Sequence, residues 1–256
     1  MSLELRVLPD AETLAEVAGD WLAGVIDARR TERSPVSLAL SGGTTPWAMV
    51  AHLRDVVRWS EVEVFQVDER VVPVTSELRN WRHLEAGLGD SGARLVAMPV
   101  DEPDLEAGAR RYAQSLPERL DVVHLGLGAD GHCASLVPDD PVLAVSDRAV
   151  ALTHPYQGHR RMTLTYPTLN AARRVLWLVS GKDKREALAR LAEGDRSIPA
   201  GRVVAESQIV FCDAAARGSK ESPCPVPVPV PRTTSSSSSG SRATSPAARS
   251  SPACST

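Results

Sequence analysis

The hydrophobic pattern along the chain alternates between two periods. Asp10 stands where a helix cap belongs. After it, Leu14, Val17, Ala18, Trp21, Leu22, Val25 and Ile26 recur at helical spacing and form one apolar stripe. Val36 to Leu40 is a short apolar run that predicts a strand, and Pro46 suits the first turn of the helix after it. Val62 to Val67 predicts a second strand. Leu105, Ala109, Tyr112, Ala113 and Leu116 mark another amphipathic helix. Val122 to Leu127 and Val175 to Val179 are nearly continuous apolar runs, the pattern of strands buried on both faces of a parallel sheet. Helical spacing returns from Lys184 to Leu191. This alternation predicts an α/β fold with an open, mostly parallel sheet covered by helices. No internal repeat is evident.

Composition changes the picture at one end. Residues 217–256 hold seven of the 19 prolines, including the run from Pro223 to Pro231, followed by Ser235 to Ser239. Such a stretch buries too little apolar surface to offset chain entropy, so a disordered tail is expected there, beginning after an α/β domain of residues 1–216. The tail carries five basic residues against one acid, +4, which leaves −7 on the rest of a chain whose net charge is −3. Neither that balance nor a pI near 6.1 suits a nucleic-acid or anionic-membrane partner. No apolar run reaches the roughly 18 residues of a membrane helix. The opening MSLELRVLPD lacks the basic and apolar regions of a secretory leader. The four cysteines, Cys133, Cys212, Cys224 and Cys254, form no CxxC pair and no zinc-type spacing. Reduced thiols in the cytoplasm are the expectation, with no metal.

In open α/β sheets ligands bind beyond the carboxyl ends of strands, so chemistry is sought directly after strand signals. Three clusters stand there. Ser41-Gly42-Gly43-Thr44-Thr45-Pro46 lies between a strand and a helix; its backbone N–H groups and hydroxyls can cradle a phosphate, or the segment is a plain strand–helix turn. It is neither a Walker loop nor G-x-G-x-x-G. Asp68-Glu69-Arg70 follows the strand at 62–67. These charges are either solvated turn residues, or Arg70 meets a substrate anion while Asp68 or Glu69 orients it or contacts sugar hydroxyls. Gly126-Leu127-Gly128-Ala129-Asp130-Gly131-His132 follows the strongest buried-strand signal. A His beside an Asp in a glycine-dense loop is a candidate general base. Ser135 lies in no G-x-S-x-G elbow, which argues against a serine nucleophile. Of the other histidines, His52 and His124 read as structural; His154 and His159 fall in a loop before Arg161 that could line a site.

In this order, SGGTTP (41–46), VDERVVP (67–73) and GLGADGHCASLVP (126–138) resemble the 6-phosphogluconolactonase family. The likeness continues through HRRMTLTYPTLNAARRVLWLVSG (159–181), Lys184 and Pro199-Ala200, covering residues 5–215 and stopping at the tail. The resemblance implies a Rossmann-like three-layer α/β sandwich without a dinucleotide, the fold shared with glucosamine-6-phosphate deaminase, ribose-5-phosphate isomerase and CoA transferases. Arg70 after the acidic pair, and Cys-Ala-Ser-Leu-Val-Pro after His132, favour the lactonase branch over the deaminase. Two positions depart from the family pattern: Arg79 before Asn80, where Ser is usual, and Val137, where Phe is usual before Pro138.

The activity so implied is hydrolysis of 6-phosphoglucono-δ-lactone to 6-phosphogluconate, in the oxidative pentose phosphate pathway. A lactone carbonyl is already electrophilic, so the reaction needs a placed water, a base and a donor to the developing oxyanion, but no cofactor. By resemblance His132 is the base, Asp130 holds its tautomer, and Arg70 stabilises charge. The phosphate falls to Ser41, Gly42, Gly43 and Thr44, with Arg161 or Lys184. The expected partner is the small sugar-phosphate lactone alone, and a monomer is compatible with that. Competing readings are a sugar-phosphate isomerase or deaminase, a non-catalytic sugar-phosphate sensor, and a scaffold acting through the tail.

Overall fold

The computed structural model describes residues 3–218. The remainder of the 217–256 segment, with Cys224 and Cys254, lies outside the described residues. In chain order the elements are β1 (Leu3–Leu8), α1 (Ala11–Arg30), β2 (Val36–Leu40), α2 (Thr44–Leu53), β3 (Val62–Gln66), β4 (Asp68–Arg70), α3 (Asn80–Leu88), β5 (Arg94–Val96), α4 (Leu105–Ser115), β6 (Val122–Gly126), β7 (Val150–Leu152), β8 (Arg161–Leu164), α5 (Tyr166–Ala171), β9 (Arg174–Val179), α6 (Arg185–Ala192), β10 (Ser207–Asp213) and α7 (Ala214–Arg217).

Seven strands make one parallel sheet in the order β1-β10-β9-β6-β2-β3-β5. The apolar runs that read as doubly buried strands occupy its centre. Alternate residues of each strand feed two cores. Val123, Leu125, Val175 and Trp177 pack with Ala109 and Tyr112 of α4 and Leu188 of α6. Leu38, Val122 and Leu176 pack with Leu14, Leu22 and Ile26 of α1, Met49 of α2 and Leu84 of α3. The result is the expected three-layer α/β sandwich. Each fully buried Leu or Ile of the α1 stripe contributes about 1.5–3 kcal/mol. Asp10 caps that helix, its carboxylate accepting from Thr13 N at 2.8 Å.

A second sheet of three antiparallel strands, β4-β8-β7, was not legible in the pattern. Asp68-Glu69-Arg70, for which a solvated turn was one of two readings, forms β4, paired with β8 in the register Asp68 to Thr163, Glu69 to Met162 and Arg70 to Arg161. The last described helix ends at Arg217, with left-handed Gly218 as its cap, so the folded unit passes the expected boundary at 216.

The strand order reverses at the centre. From β2 the chain winds outward through β3 to β5; from β6 it winds the other way through β9 to β10. The loops leaving the adjacent carboxyl ends of β2 and β6 therefore part to opposite faces, and a crevice opens between them.

Candidate active site

A cleft of about 580 Å³ occupies that crevice. It is lined by Ser41 to Pro46 after β2, Asp68 and Arg70 of β4, Asn80, Gly126 to Gly128 and His132 after β6, Tyr156 and Gln157, Arg161 of β8, and Ser180 and Lys184 after β9. All three sequence clusters meet there.

The β2 loop carries its donors at the start of α2. Gly43, the N-cap, has φ 135°, a conformation that favours glycine. The N–H groups that open a ten-residue helix thus face the cleft without a side-chain cap. Ser41 differs from its neighbours: its N–H donates to Nδ1 of buried His124 at 3.3 Å, so only its hydroxyl is available to a ligand. His124 is fully buried in β6, and desolvation pushes its imidazole down to about 3, keeping it neutral.

Strand alternation sorts the acidic pair. Asp68 and Arg70 face the cleft; Glu69, between them, points away. Glu69 is fully buried and accepts from Asn80 N (2.9 Å), Trp81 N (2.8 Å), Arg70 N (2.8 Å) and Gln66 Nε2 (2.8 Å). Arg79, one of the two departures from the family pattern, is also buried and lies 3.4 Å from this carboxylate. The assignment of Glu69 to substrate is therefore corrected: its oxygens are used in capping α3. Val137, the other departure, lines the cleft wall.

Asp68 accepts from Ser135 Oγ at 2.6 Å. Burial raises its pKa above the usual carboxylate value, although the Ser135 hydroxyl and Arg161 act in the opposite direction. Ser135 is buried and committed to that bond, a poor arrangement for a nucleophile. Arg70 and Arg161 stand directly opposite each other on adjacent strands. Like charges so placed are destabilising, yet among the described residues neither makes an ion pair. The Arg70 guanidinium donates to Leu78 O at 2.6 Å. Arg161 is buried, and its pKa is lowered first by desolvation, with Arg70 adding to the effect and Asp68 opposing it. Lys184 reaches the cleft from the start of α6, 3.1 Å from the exposed Asp183 carboxylate.

Asp130 and His132 form a closed pair. His132 Nδ1 lies 2.6 Å from Asp130 Oδ1, which also accepts the His132 backbone N–H at 3.2 Å. Burial alone would raise the Asp130 pKa; the charge and donors of His132 outweigh it and hold the carboxyl below its ordinary value. Gly128 makes the pair possible, because a Cβ there would sit 2.0 Å from His132 Nδ1 and 2.5 Å from Asp130 Oδ1. With Nδ1 engaged, Nε2 is the nitrogen left to the cleft. His154 and His159 do not line it. His52 bonds Asp20 at 2.8 Å on the outer face of the helices. Among the described residues no group of three or more His, Cys, Asp or Glu side chains could hold a metal ion.

A family model described as glucosamine-6-phosphate isomerases/6-phosphogluconolactonase matches residues 9–211. The chain belongs to that family. Among its relatives, a 6-phosphogluconolactonase of Nostoc sp. is 30% identical over 240 residues, covering 87% of this chain and all of the relative. One of Mycobacterium tuberculosis is 31% identical over 85% of this chain and 99% of the relative. The crystal structure of 6-phosphogluconolactonase from Thermotoga maritima superposes with a TM-score of 0.75 at 26% identity, covering 83% of this chain and 100% of that one. A monomeric glucosamine-6-phosphate deaminase reaches the same TM-score at 20% identity over 84% and 99%, a likeness of fold alone.

Four polar residues of the cleft were missed in the sequence: Asn80, Tyr156, Gln157 and Ser180. Ser180 directly follows β9, and the strand-end rule points to it. Tyr156 and Gln157 occupy a hairpin tip; Pro155 and Gly158 mark the turn, but strands of three and four residues carry too little periodicity to show which side chains reach the cleft.

Proposed function

We infer that this chain hydrolyses 6-phosphoglucono-δ-lactone to 6-phosphogluconate. The carrying observation is the facing pair Arg70 and Arg161, two cations that make no ion pair among the described residues, in the cleft that is also lined by His132 of the Asp130–His132 pair. Such a cleft favours an anionic substrate and offers a base beside it. Relatives named for this reaction, alike over most of the chain, support the same reading.

In this reading the phosphate rests on the N–H groups of Gly42, Gly43 and Thr44, with the Ser41 hydroxyl and the Arg161 or Lys184 cation beside it. That grip holds the ring so that its carbonyl faces His132. His132 Nε2 takes a proton from water as the water adds to the carbonyl carbon. The tetrahedral oxyanion is met by Arg70. As the intermediate collapses, the ring C–O bond breaks and the imidazolium returns its proton to the leaving oxygen. Asp130 stabilises the imidazolium and keeps the proton of the neutral ring on Nδ1. The water adds directly, and no covalent intermediate or cofactor is required. Asp68 meets sugar hydroxyls. No described helix is long and apolar enough to cross a membrane. Two buried free thiols, Cys133 and Cys212, suit work in the reducing cytoplasm.

The test follows hydrolysis of freshly generated 6-phosphoglucono-δ-lactone by wild type and His132→Ala, with spontaneous opening subtracted. Fast turnover by wild type and near-background rates for the variant are expected. Background rates for both remove the lactonase reading, and glucosamine 6-phosphate and ribose 5-phosphate are then the ligands to try.

A further inference from the structure

We propose that Tyr156 is a positioning residue for this reaction: its hydroxyl tunes Asp130, and its ring holds both the His132 imidazole and the Arg161 guanidinium. The inference rests on His132 being the base.

Tyr156 is held by local geometry. It exchanges backbone hydrogen bonds with His159 (Tyr156 N to His159 O, 3.0 Å; His159 N to Tyr156 O, 3.3 Å). Between them Gln157 and Gly158 both have positive φ, 51° and 82°, the signature of a tight hairpin tip whose twist matches its strands. This tip extends the β7–β8 hairpin, with Thr153 N still donating to Arg161 O at 2.9 Å, and carries Tyr156 to the wall of the cleft. There the side chain makes three contacts at once. Its hydroxyl donates to Asp130 Oδ2 at 3.2 Å, the oxygen that His132 does not use. Its ring meets the His132 ring edge to face, centroids 5.6 Å apart. Arg161 Cζ lies 4.9 Å from the Tyr156 ring centroid, a cation–π distance. One side chain thus links the base to the cation proposed to hold the phosphate.

The consequence follows from the sharing of one carboxylate. A donor on Oδ2 draws charge from Asp130 and weakens its hold on an imidazolium at Oδ1. Removing the donor concentrates that charge on His132 and stabilises its protonated form. The charged and titratable groups that bear on this assembly are Asp130 and His132 from the β6 loop and Arg161 from β8, itself faced by Asp68 and Arg70. The Tyr156 hydroxyl is held above its ordinary pKa by burial and by Asp130, so it remains the donor through the working range.

Tyr156→Phe keeps the ring and deletes the donor. Because 3.2 Å is longer than the usual hydroxyl hydrogen bond, its acidic limb in kcat/KM should move to higher pH by only about 0.3–0.5 unit, with plateau kcat within about twofold of wild type. Tyr156→Ala removes the ring as well; kcat should fall and KM should rise as Arg161 loses its support. A Tyr156 that merely walls the cleft predicts no movement of the limb. Titration of the His132 ring by NMR reads the same shift without turnover. An active wild type whose His132 titrates alike in both backgrounds overturns the proposal. Failure of the lactonase reading appears separately, as a wild type that does not open the lactone at all.

Discussion

Replacing Asp130 with Asn tests the base assignment most sharply. Asn keeps an oxygen for the His132 backbone N–H, so the loop is retained, but the charge facing Nδ1 is lost. A hydrogen bond to a charged group contributes about 1.5–3 kcal/mol. The side chains here are 28% and 37% exposed, and solvent screening reduces the effect to about 1–2 kcal/mol. That interaction is strongest in the transition state, when the imidazole carries the water proton, so it appears in kcat. The variant should be slowed about 5–30-fold, with KM for the lactone little changed. Its acidic limb should move to lower pH, because an imidazolium without its carboxylate loses its proton sooner. Stopped-flow hydrolysis of fresh lactone across pH 5–8, corrected for spontaneous opening, measures both. A variant with wild-type kcat and an unmoved limb would show that Asp130 does not act on the base.

The other expectations are read from the same contacts. Glu69→Ala leaves four donors and Arg79 without their carboxylate; it should cost about 3–5 kcal/mol and lower Tm by about 6–20 °C, and a stable variant with a raised KM would restore Glu69 to substrate. Gly128→Ala should fold, by circular dichroism, yet lose nearly all turnover, because its Cβ would lie 2.0 Å from His132 Nδ1; wild-type kcat would contradict the pairing. Ser135→Ala should keep kcat within a few-fold while lowering stability by about 1–3 kcal/mol through the stranded Asp68; a loss as deep as that of His132→Ala would revive a nucleophilic serine. His124 titrates near 6.5 when unfolded and about 3 when folded. The unfolded chain then binds more protons between those values, so stability falls as pH drops through that window, by up to about 1.4 kcal/mol per unit. His124→Asn should flatten this slope in urea melts, and parallel slopes would refute it.

What could be read from the sequence divides along local and long-range information. The β2–α2 loop and the Asp130–His132 loop were legible because each follows an apolar, buried strand of five residues, and glycine before a helix or around a polar pair is a local signal. The role of Glu69 was not. It depends on β4 being a strand, and three charged residues show no periodicity by themselves; only pairing with β8, far along the chain, turns Asp68 and Arg70 one way and Glu69 the other. Tyr156 was hidden for a related reason: its hairpin has strands of three and four residues, and its turn places a non-glycine residue at positive φ. The register of that small sheet carries information beyond fold. It sets Arg70 against Arg161, an arrangement that costs stability unless an anion joins them, and it puts the tyrosine that touches Arg161 against the carboxylate that touches His132. In the proposed reading the small antiparallel sheet brings Arg70 and Arg161 to the cleft, and the large parallel sheet supplies the loop after β6 that carries Asp130 and His132.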